Sequence, residues 1–101
     1  MPKGYWIARV DVLNADEYRA YVAANAEAFA RYGGRFLVRA GQSETVEGQS
    51  RARNIVIEFP DYATALACLN SEEYKRAADF RDAASLIDLV VADGYDGAQP
   101  G

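Results

Sequence analysis

The hydrophobic residues of this chain follow two periodicities, and the changes between them divide it into strands and helices. Apolar runs rich in aromatic and β-branched residues predict strands over Tyr5–Val12, Arg35–Ala40, Arg53–Phe59 and Leu86–Ala92. After the first strand, apolar residues recur every three or four positions, which predicts an amphipathic helix from an Asn14 cap to Tyr32. Gly33 and Gly34 end this helix, since glycine accepts the left-handed backbone of a helix C-terminus.

A broken helical region is predicted between the third and fourth strands. Pro60 ends the third strand because it cannot donate to a ladder, and Asp61 caps a short helix. Asn70 and Ser71 interrupt that helix, and Ser71 begins another that reaches Arg81. This order predicts an α+β, ferredoxin-like βαββαβ fold: a four-stranded antiparallel sheet with the helices on one face. We expect a single domain over residues 1–94 and a flexible tail over 95–101.

Alternation divides each predicted strand into a helix-facing side and an open side. The helix-facing set is apolar: Trp6, Ala8, Val10, Val12, Phe36, Val38, Ile55, Ile57, Phe59, Ile87, Leu89 and Val91. The open set mixes apolar with charged residues: Tyr5, Ile7, Arg9, Asp11, Arg35, Leu37, Arg39, Val56, Glu58, Leu86, Asp88, Val90 and Ala92. Apolar side chains at this density usually mark an interface, and two-fold self-pairing is the commonest kind. We therefore predict a homodimer through the open sheet face, with a small-molecule cavity as a hypothesis.

Composition narrows the class of protein. The chain has 101 residues, of which 50% are hydrophobic and 26% charged, as in one globular domain. The net charge is −4 and the basic residues are scattered, which argues against a nucleic-acid partner. No apolar run approaches the ~20 residues of a membrane helix, and the first residues lack a signal-peptide pattern. We therefore expect a cytoplasmic protein with no membrane contact.

Charged residues of the predicted open face are candidates for binding and proton transfer. Arg39 and Arg9 would hold an anionic substrate, because a guanidinium binds a carboxylate in a fixed fork. The alternative is a structural ion pair with Glu58, Asp11 or Asp88; it is favoured for Arg9, and both interpretations of Arg39 stay open. Glu58 or Asp11 would move a proton if burial raised its pKa. For Glu58 the favoured alternative is an ion pair with Arg39 on the neighbouring strand.

Further candidates lie on the predicted helices. Tyr74 and Arg81 share one helix face and could contact a ligand, or could be a packed tyrosine beside a solvated arginine. Asn25 interrupts an apolar stripe, so it either hydrogen-bonds locally or reaches a pocket. The single cysteine, Cys68, lies in an apolar helix and is expected to be a buried, inert thiol. The chain has no histidine and no carboxylate cluster at ligand spacing, so we predict neither a metal site nor a cofactor.

Three short motifs resemble one protein family. They are GGRFLVR at Gly33–Arg39, IEFP at Ile57–Pro60 and NSEEY at Asn70–Tyr74. In this combination the chain resembles the family catalogued as domain of unknown function thirteen-thirty, within the dimeric α/β-barrel superfamily. The resemblance extends from Tyr5 to Asp93.

The resemblance implies a ferredoxin-like protomer and a dimer whose two sheets form a closed barrel, with Tyr74 and Arg81 near the barrel mouth. It implies no established activity, since relatives in the superfamily include cofactor-independent monooxygenases, muconolactone-type isomerases, haem-dependent enzymes and ligand-sensing domains. The lack of histidine counts against haem binding. Two hypotheses follow. One is a binder or enzyme for a small anionic or carbonyl metabolite, acting without a metal; the other is a non-catalytic dimerisation or ligand-sensing module.

Overall fold

The computed structural model describes residues 2–101 and has the predicted order of elements. These elements are β1 (Gly4–Val12), α1 (Ala15–Tyr32), β2 (Arg35–Arg39), β3 (Arg53–Phe59), α2 (Tyr62–Leu69), α3 (Glu72–Ala84) and β4 (Ser85–Asp93). The four strands form one antiparallel sheet in the order β2-β3-β1-β4, and the helices pack on one of its faces. The ferredoxin-like βαββαβ prediction is therefore confirmed.

The helix boundaries follow the capping signals in the sequence. Asn14 accepts a hydrogen bond from the Glu17 amide, and Gly33 ends α1 with a φ of 73°. Asp61 and Ser71 cap α2 and α3 in the same way. Within residues 2–101, no helix has both the length and the apolar composition needed to cross a membrane.

Trp6 lies at the centre of the core between the sheet and the helices. It is 2% exposed, and its Nε1 donates to the Ala65 carbonyl at 2.9 Å. Its ring lies 4.8 to 5.3 Å, centroid to centroid, from those of Phe29, Phe59 and Tyr74. Aromatic pairs at these distances add to the stabilisation from burial, so this cluster fixes the helices on the sheet.

A bulge in β2 changes the face on which two of its side chains lie. Phe36 pairs with Ile57, but Val38 pairs with Val56 and Arg39 with Ile55, so Leu37 is an extra residue in β2. A one-residue slip moves every later side chain to the other face. Val38 consequently lies on the open face and Arg39 on the helix side. The predicted faces of these two residues were wrong, because strict alternation was assumed along β2.

The open face carries a continuous apolar row across all four strands. The pairing aligns Val38 with Val56, Val56 with Ile7, and Ile7 with Val90. Val38 is 43% exposed and Val90 56% exposed. We call these four residues the apolar row. It uses Val38 because of the bulge, and it covers the full width of the sheet.

Gly4 allows β1 to approach the start of α2 closely. A Cβ at this position would lie 2.6 Å from the Asp61 carbonyl carbon and 2.7 Å from the Tyr62 Cα, and backbone atoms cannot turn aside as a side chain can. We expect Gly4→Ala to lower the free energy of unfolding by about 2 kcal/mol, measured by urea denaturation. Gly41→Ala is the control, since nothing lies within 4 Å of its Cβ. Equal stability of the two variants would contradict this close approach.

Candidate functional site

The sheet separates the residues that the sequence suggested as one site. On the open face lie Arg9, Asp11 and Glu58; on the helix side lie Asn25, Arg39, Tyr74 and Arg81. The backbone of the sheet lies between these two sets, so they do not line one cavity. Glu58 and Asp11, the predicted proton-transfer residues, are therefore separated from Arg39. Arg39 had been expected to hold the substrate next to them.

Asp11 is tied to the loop between β2 and β3. Its carboxylate accepts hydrogen bonds from the Ala52 amide at 3.0 Å and from Arg51 Nη1 at 2.9 Å. These hydrogen bonds lower the pKa of Asp11, the amide contributing most. Arg51 also donates to Asp88 at 2.8 Å. The ion-pair partner of Asp11 is therefore Arg51, not the predicted Arg9 or Arg39.

Glu58 also has partners within its own protomer. The Tyr5 hydroxyl donates to Glu58 Oε2 at 3.1 Å, and Arg35 Nη1 lies 4.0 Å from Oε1. The hydrogen bond to Glu58 raises the pKa of Tyr5. Arg39 projects from the other side of the sheet, so the expected Arg39–Glu58 ion pair is wrong. The bulge is the reason, because it turns Arg39 away from Glu58.

A cavity of about 40 Å³ lies between the sheet and the helices. We call it the inner cavity. Its walls are mainly aromatic and aliphatic, and its polar lining consists of Tyr18, Tyr21, Asn25, Arg39, Arg53 and Tyr74. This volume holds on the order of three water molecules. A larger ligand would need side chains at the cavity boundary to move.

Two guanidinium groups lie at the boundary of the inner cavity. The Arg39 Cζ lies 4.1 Å from the ring centroid of Phe36, and the Arg53 Cζ lies 5.4 Å from that of Tyr18. Among residues 2–101, neither arginine forms an ion pair with a carboxylate. The Nε of Arg53 is buried and has no hydrogen-bond partner in that range. Both arginines could therefore accept an anionic group.

Arg53 lines the inner cavity but was not among the predicted site residues. Strand alternation alone places it on the same side as Ile55 and Ile57, so the signal was present. It is the first residue of the predicted third strand, but it was assigned to neither face of that strand. The pairing of Arg53 with Val10 confirms that it belongs to the sheet, and its place in the lining of the inner cavity shows that it faces the helices.

The inner cavity also contains a hydrogen-bonded pair of tyrosines. The Tyr21 and Tyr74 hydroxyls are 2.7 Å apart, and Arg81 Nη1 donates to Tyr74 Oη at 3.0 Å. Burial raises the pKa of both tyrosines, so both hydroxyls are neutral at physiological pH. Asn25 is 6% exposed and lies beside Tyr21. The structure thus brings together three predicted candidates, Asn25, Tyr74 and Arg81, with Tyr21, a residue of α1 that was not among the predicted candidates.

Neither a reactive thiol nor a metal site is found among the residues described. Burial raises the pKa of the Cys68 thiol to about 12, and its Sγ lies 3.8 Å from the Ala28 carbonyl. Throughout the described chain, residues 2–101, no three His, Cys, Asp or Glu side chains are grouped so that they could hold a metal ion. The candidate site is therefore the inner cavity with its arginine and tyrosine side chains.

The chain matches one protein family and no curated protein sequence. The family model described as Domain of unknown function (DUF1330) matches residues 3–95. A comparison with curated protein sequences finds no match. The family match therefore covers nearly the whole chain without supplying an activity.

Several solved structures share the fold at low sequence identity. A protein of unknown function from Rhodopseudomonas palustris has 17% identity and a TM-score of 0.77, covering 95% of this chain and 85% of its own. SnoaB, a cofactor-independent oxygenase from Streptomyces nogalater, has 19% identity and a TM-score of 0.64, with 99% and 97% covered. A dimeric protein of unknown function and ferredoxin-like fold from Bacteroides fragilis has 11% identity and a TM-score of 0.53, with 90% and 95% covered.

Proposed function

The chain belongs to the domain of unknown function (DUF1330) family, and we propose that it is a homodimer in which each protomer binds a small anionic or carbonyl-bearing molecule. The ligand occupies the inner cavity, on the helix side of the sheet. The partner protomer covers the open face. Ligand binding and self-association thus use opposite faces of one sheet.

The observation that carries this proposal is the pair of arginines at an apolar cavity. Arg39 and Arg53 lie at its boundary, and no carboxylate lines it among the residues described. The partly buried guanidinium of Arg53 favours an anion, because its Nε is buried without an acceptor and the attraction is stronger there than in water. Arg39 is exposed and adds a second positive charge at the boundary. Aromatic walls suit a flat apolar body behind the charged group.

Ligand entry requires movement at the cavity boundary. At about 40 Å³ the inner cavity is smaller than the several hundred Å³ typical of ligand pockets. Tyr18, Val22 and Arg53 separate it from a wider groove of about 720 Å³ on the protein surface. If Arg53 turned away from the Tyr18 ring, the two spaces would join. We propose this as the route by which a ligand reaches the inner cavity.

The apolar row supports self-association through the open face. It exposes aliphatic side chains across the whole sheet, and polar residues lie on both sides of it. The structural neighbour from Bacteroides fragilis is described as dimeric. A second copy of the chain carries the same apolar row on its own open face. In a two-fold dimer the apolar row of each protomer would therefore cover that of the other. Self-association would remove this surface from water.

A non-catalytic dimerisation or ligand-sensing module is the second candidate. The small volume of the inner cavity favours it, since the core aromatic residues already fill most of the space. The charges of the open face favour the same alternative, because Asp11, Asp88 and Glu58 have partners within one protomer and are not free for catalysis. On this alternative the arginines at the cavity would serve only stability and solubility.

Benzoate binding tests the proposal, with the only tryptophan, Trp6, as a fluorescent reporter in the cavity wall. We expect saturable changes in Trp6 emission with benzoate and much weaker ones with benzyl alcohol, which lacks the charge. Arg53→Gln should weaken benzoate binding about tenfold, since it removes one charge-assisted hydrogen bond. Arg9→Gln, on the open face, should leave the affinity unchanged. Equal affinities in both variants would contradict the assignment of the site.

A further inference from the structure

The inner cavity has a second polar feature besides its arginines, at the Tyr21 hydroxyl. We propose that Tyr21, supported by Tyr74 and Arg81, donates a hydrogen bond to a single negatively charged oxygen of the ligand, which makes the ligand an enolate or a phenolate. This inference rests on the proposed function, since it concerns the same cavity. It adds the chemical class of the molecule and the group that recognises it.

The direction of the hydrogen bonds follows from the donor inventory. Arg81 has only donors, so Tyr74 Oη must accept the bond of 3.0 Å between them. A hydroxyl that accepts from a cation becomes a better donor, and the nearest acceptor of Tyr74 is Tyr21 Oη, at 2.7 Å. The hydrogen bond with Asn25 lowers the pKa of Tyr21, as a donor to the Tyr21 oxygen does, so Tyr21 keeps its own proton for a further acceptor. Because Tyr21 lines the inner cavity, that acceptor can be a ligand atom.

The charges around Tyr21 favour an anionic acceptor. The ionisable and strongly polar side chains that face the cavity are Tyr18 and Asn25 on α1, Tyr74 on α3, Arg39 on β2 and Arg53 on β3. Arg81 lies behind Tyr74, and it also forms an ion pair with Asp82, which does not line the cavity. The groups that line the cavity are neutral or positive, and β1 and β4 contribute only apolar residues to the lining. Burial raises the pKa of Tyr21 and Tyr74, so both keep their protons while a ligand hydroxyl ionises.

The number of donors distinguishes an enolate or phenolate from a carboxylate. A carboxylate presents two oxygens and matches a planar guanidinium fork, such as that of Arg53. Tyr21 offers one proton in a lining of aromatic and aliphatic side chains. One donor matches one oxygen on a flat, mostly apolar body. A ligand that also carried a carboxylate could use the arginines and Tyr21 together.

The test uses 4-nitrophenol, whose absorbance reports its ionisation when bound. We expect the bound probe to have a pKa about one unit below that of the free probe, because Tyr21 stabilises the phenolate. Tyr21→Phe should abolish this shift and weaken phenolate binding about tenfold. Arg81→Gln should reduce the shift, and it keeps the test decisive if Tyr21→Phe does not fold. Tyr95→Phe, at a residue 71% exposed, is the control and should retain the full shift.

The outcomes separate this inference from the proposed function. If wild-type protein binds benzoate and 4-nitrophenol but the bound pKa equals the free pKa, the inference is overturned and the proposed function stands. The same holds if the shift survives in both Tyr21→Phe and Arg81→Gln. If neither benzoate nor 4-nitrophenol binds, both proposals are overturned. A shift lost in Tyr21→Phe and kept in Tyr95→Phe supports the inference.

Discussion

Replacing Val90 by aspartate is expected to convert the proposed dimer to a monomer. Val90 belongs to the apolar row and is 56% exposed in the single protomer. In an interface with two-fold symmetry each substitution occurs twice, and each carboxylate would lose its water without gaining a partner. We expect the dimer dissociation constant to rise at least about 100-fold, measured by sedimentation equilibrium.

A matched control for this change lies on the helix layer. Phe80, on α3, is 47% exposed and is not part of the sheet, so Phe80→Asp introduces the same charge at a similarly exposed apolar site. We expect it to leave the dimer intact. If Val90→Asp remains dimeric at the same concentrations as wild type, the open face is not the interface. The apolar row would then need another partner.

Loss of both cavity arginines is expected to reduce benzoate affinity about 100-fold. Each guanidinium, Arg39 and Arg53, would supply a charge-assisted hydrogen bond worth about 1.5 kcal/mol or more, and about 1.4 kcal/mol corresponds to a factor of ten. The variant Arg39→Gln/Arg53→Gln removes both bonds and keeps polar side chains of moderate size. Titration of benzoate against Trp6 emission measures the effect.

The control for the double variant removes the same number of positive charges, but from the open face. Arg9→Gln/Arg35→Gln removes two positive charges that lie away from the inner cavity. Its affinity for benzoate should match that of wild type. If this control loses affinity as much as Arg39→Gln/Arg53→Gln does, general electrostatic attraction explains binding and the cavity arginines have no specific role.

The sequence predicted the elements of the fold well because their signals are local. Asn14, Asp61 and Ser71 each cap a helix that begins at the next residue. Gly33 adopts the left-handed backbone that ends α1. These effects depend on a few neighbouring residues and are readable without tertiary structure. The βαββαβ order then left few arrangements of the sheet.

The faces of β2 could not be predicted because the bulge depends on pairing between strands. Leu37 is an extra residue only relative to β3, and nothing in the alternation of β2 itself marks it. The consequence reaches the site, since Arg39 lies at the inner cavity instead of beside Glu58. Arg53, by contrast, was predictable, because it follows the alternation of Ile55 along β3.

Hydrogen-bond partners across the fold were the least predictable part of the site. Asp11 is held by Arg51 from a loop whose path the sequence does not specify. Tyr21 and Tyr74 come from different helices, and their hydroxyls meet only after both helices pack on the sheet. The sequence could therefore name Tyr74 as a candidate from its position on α3 without identifying what it contacts.

Native mass spectrometry with added benzoate tests the central claim, that one sheet separates self-association from ligand binding. For wild-type protein we expect a dimer carrying one benzoate per protomer. Val90→Asp should give a monomer that still carries benzoate, and Arg39→Gln/Arg53→Gln should give a dimer without it. If the arginine variant kept benzoate, or if wild-type protein were a monomer, the assignment of the two faces would be contradicted.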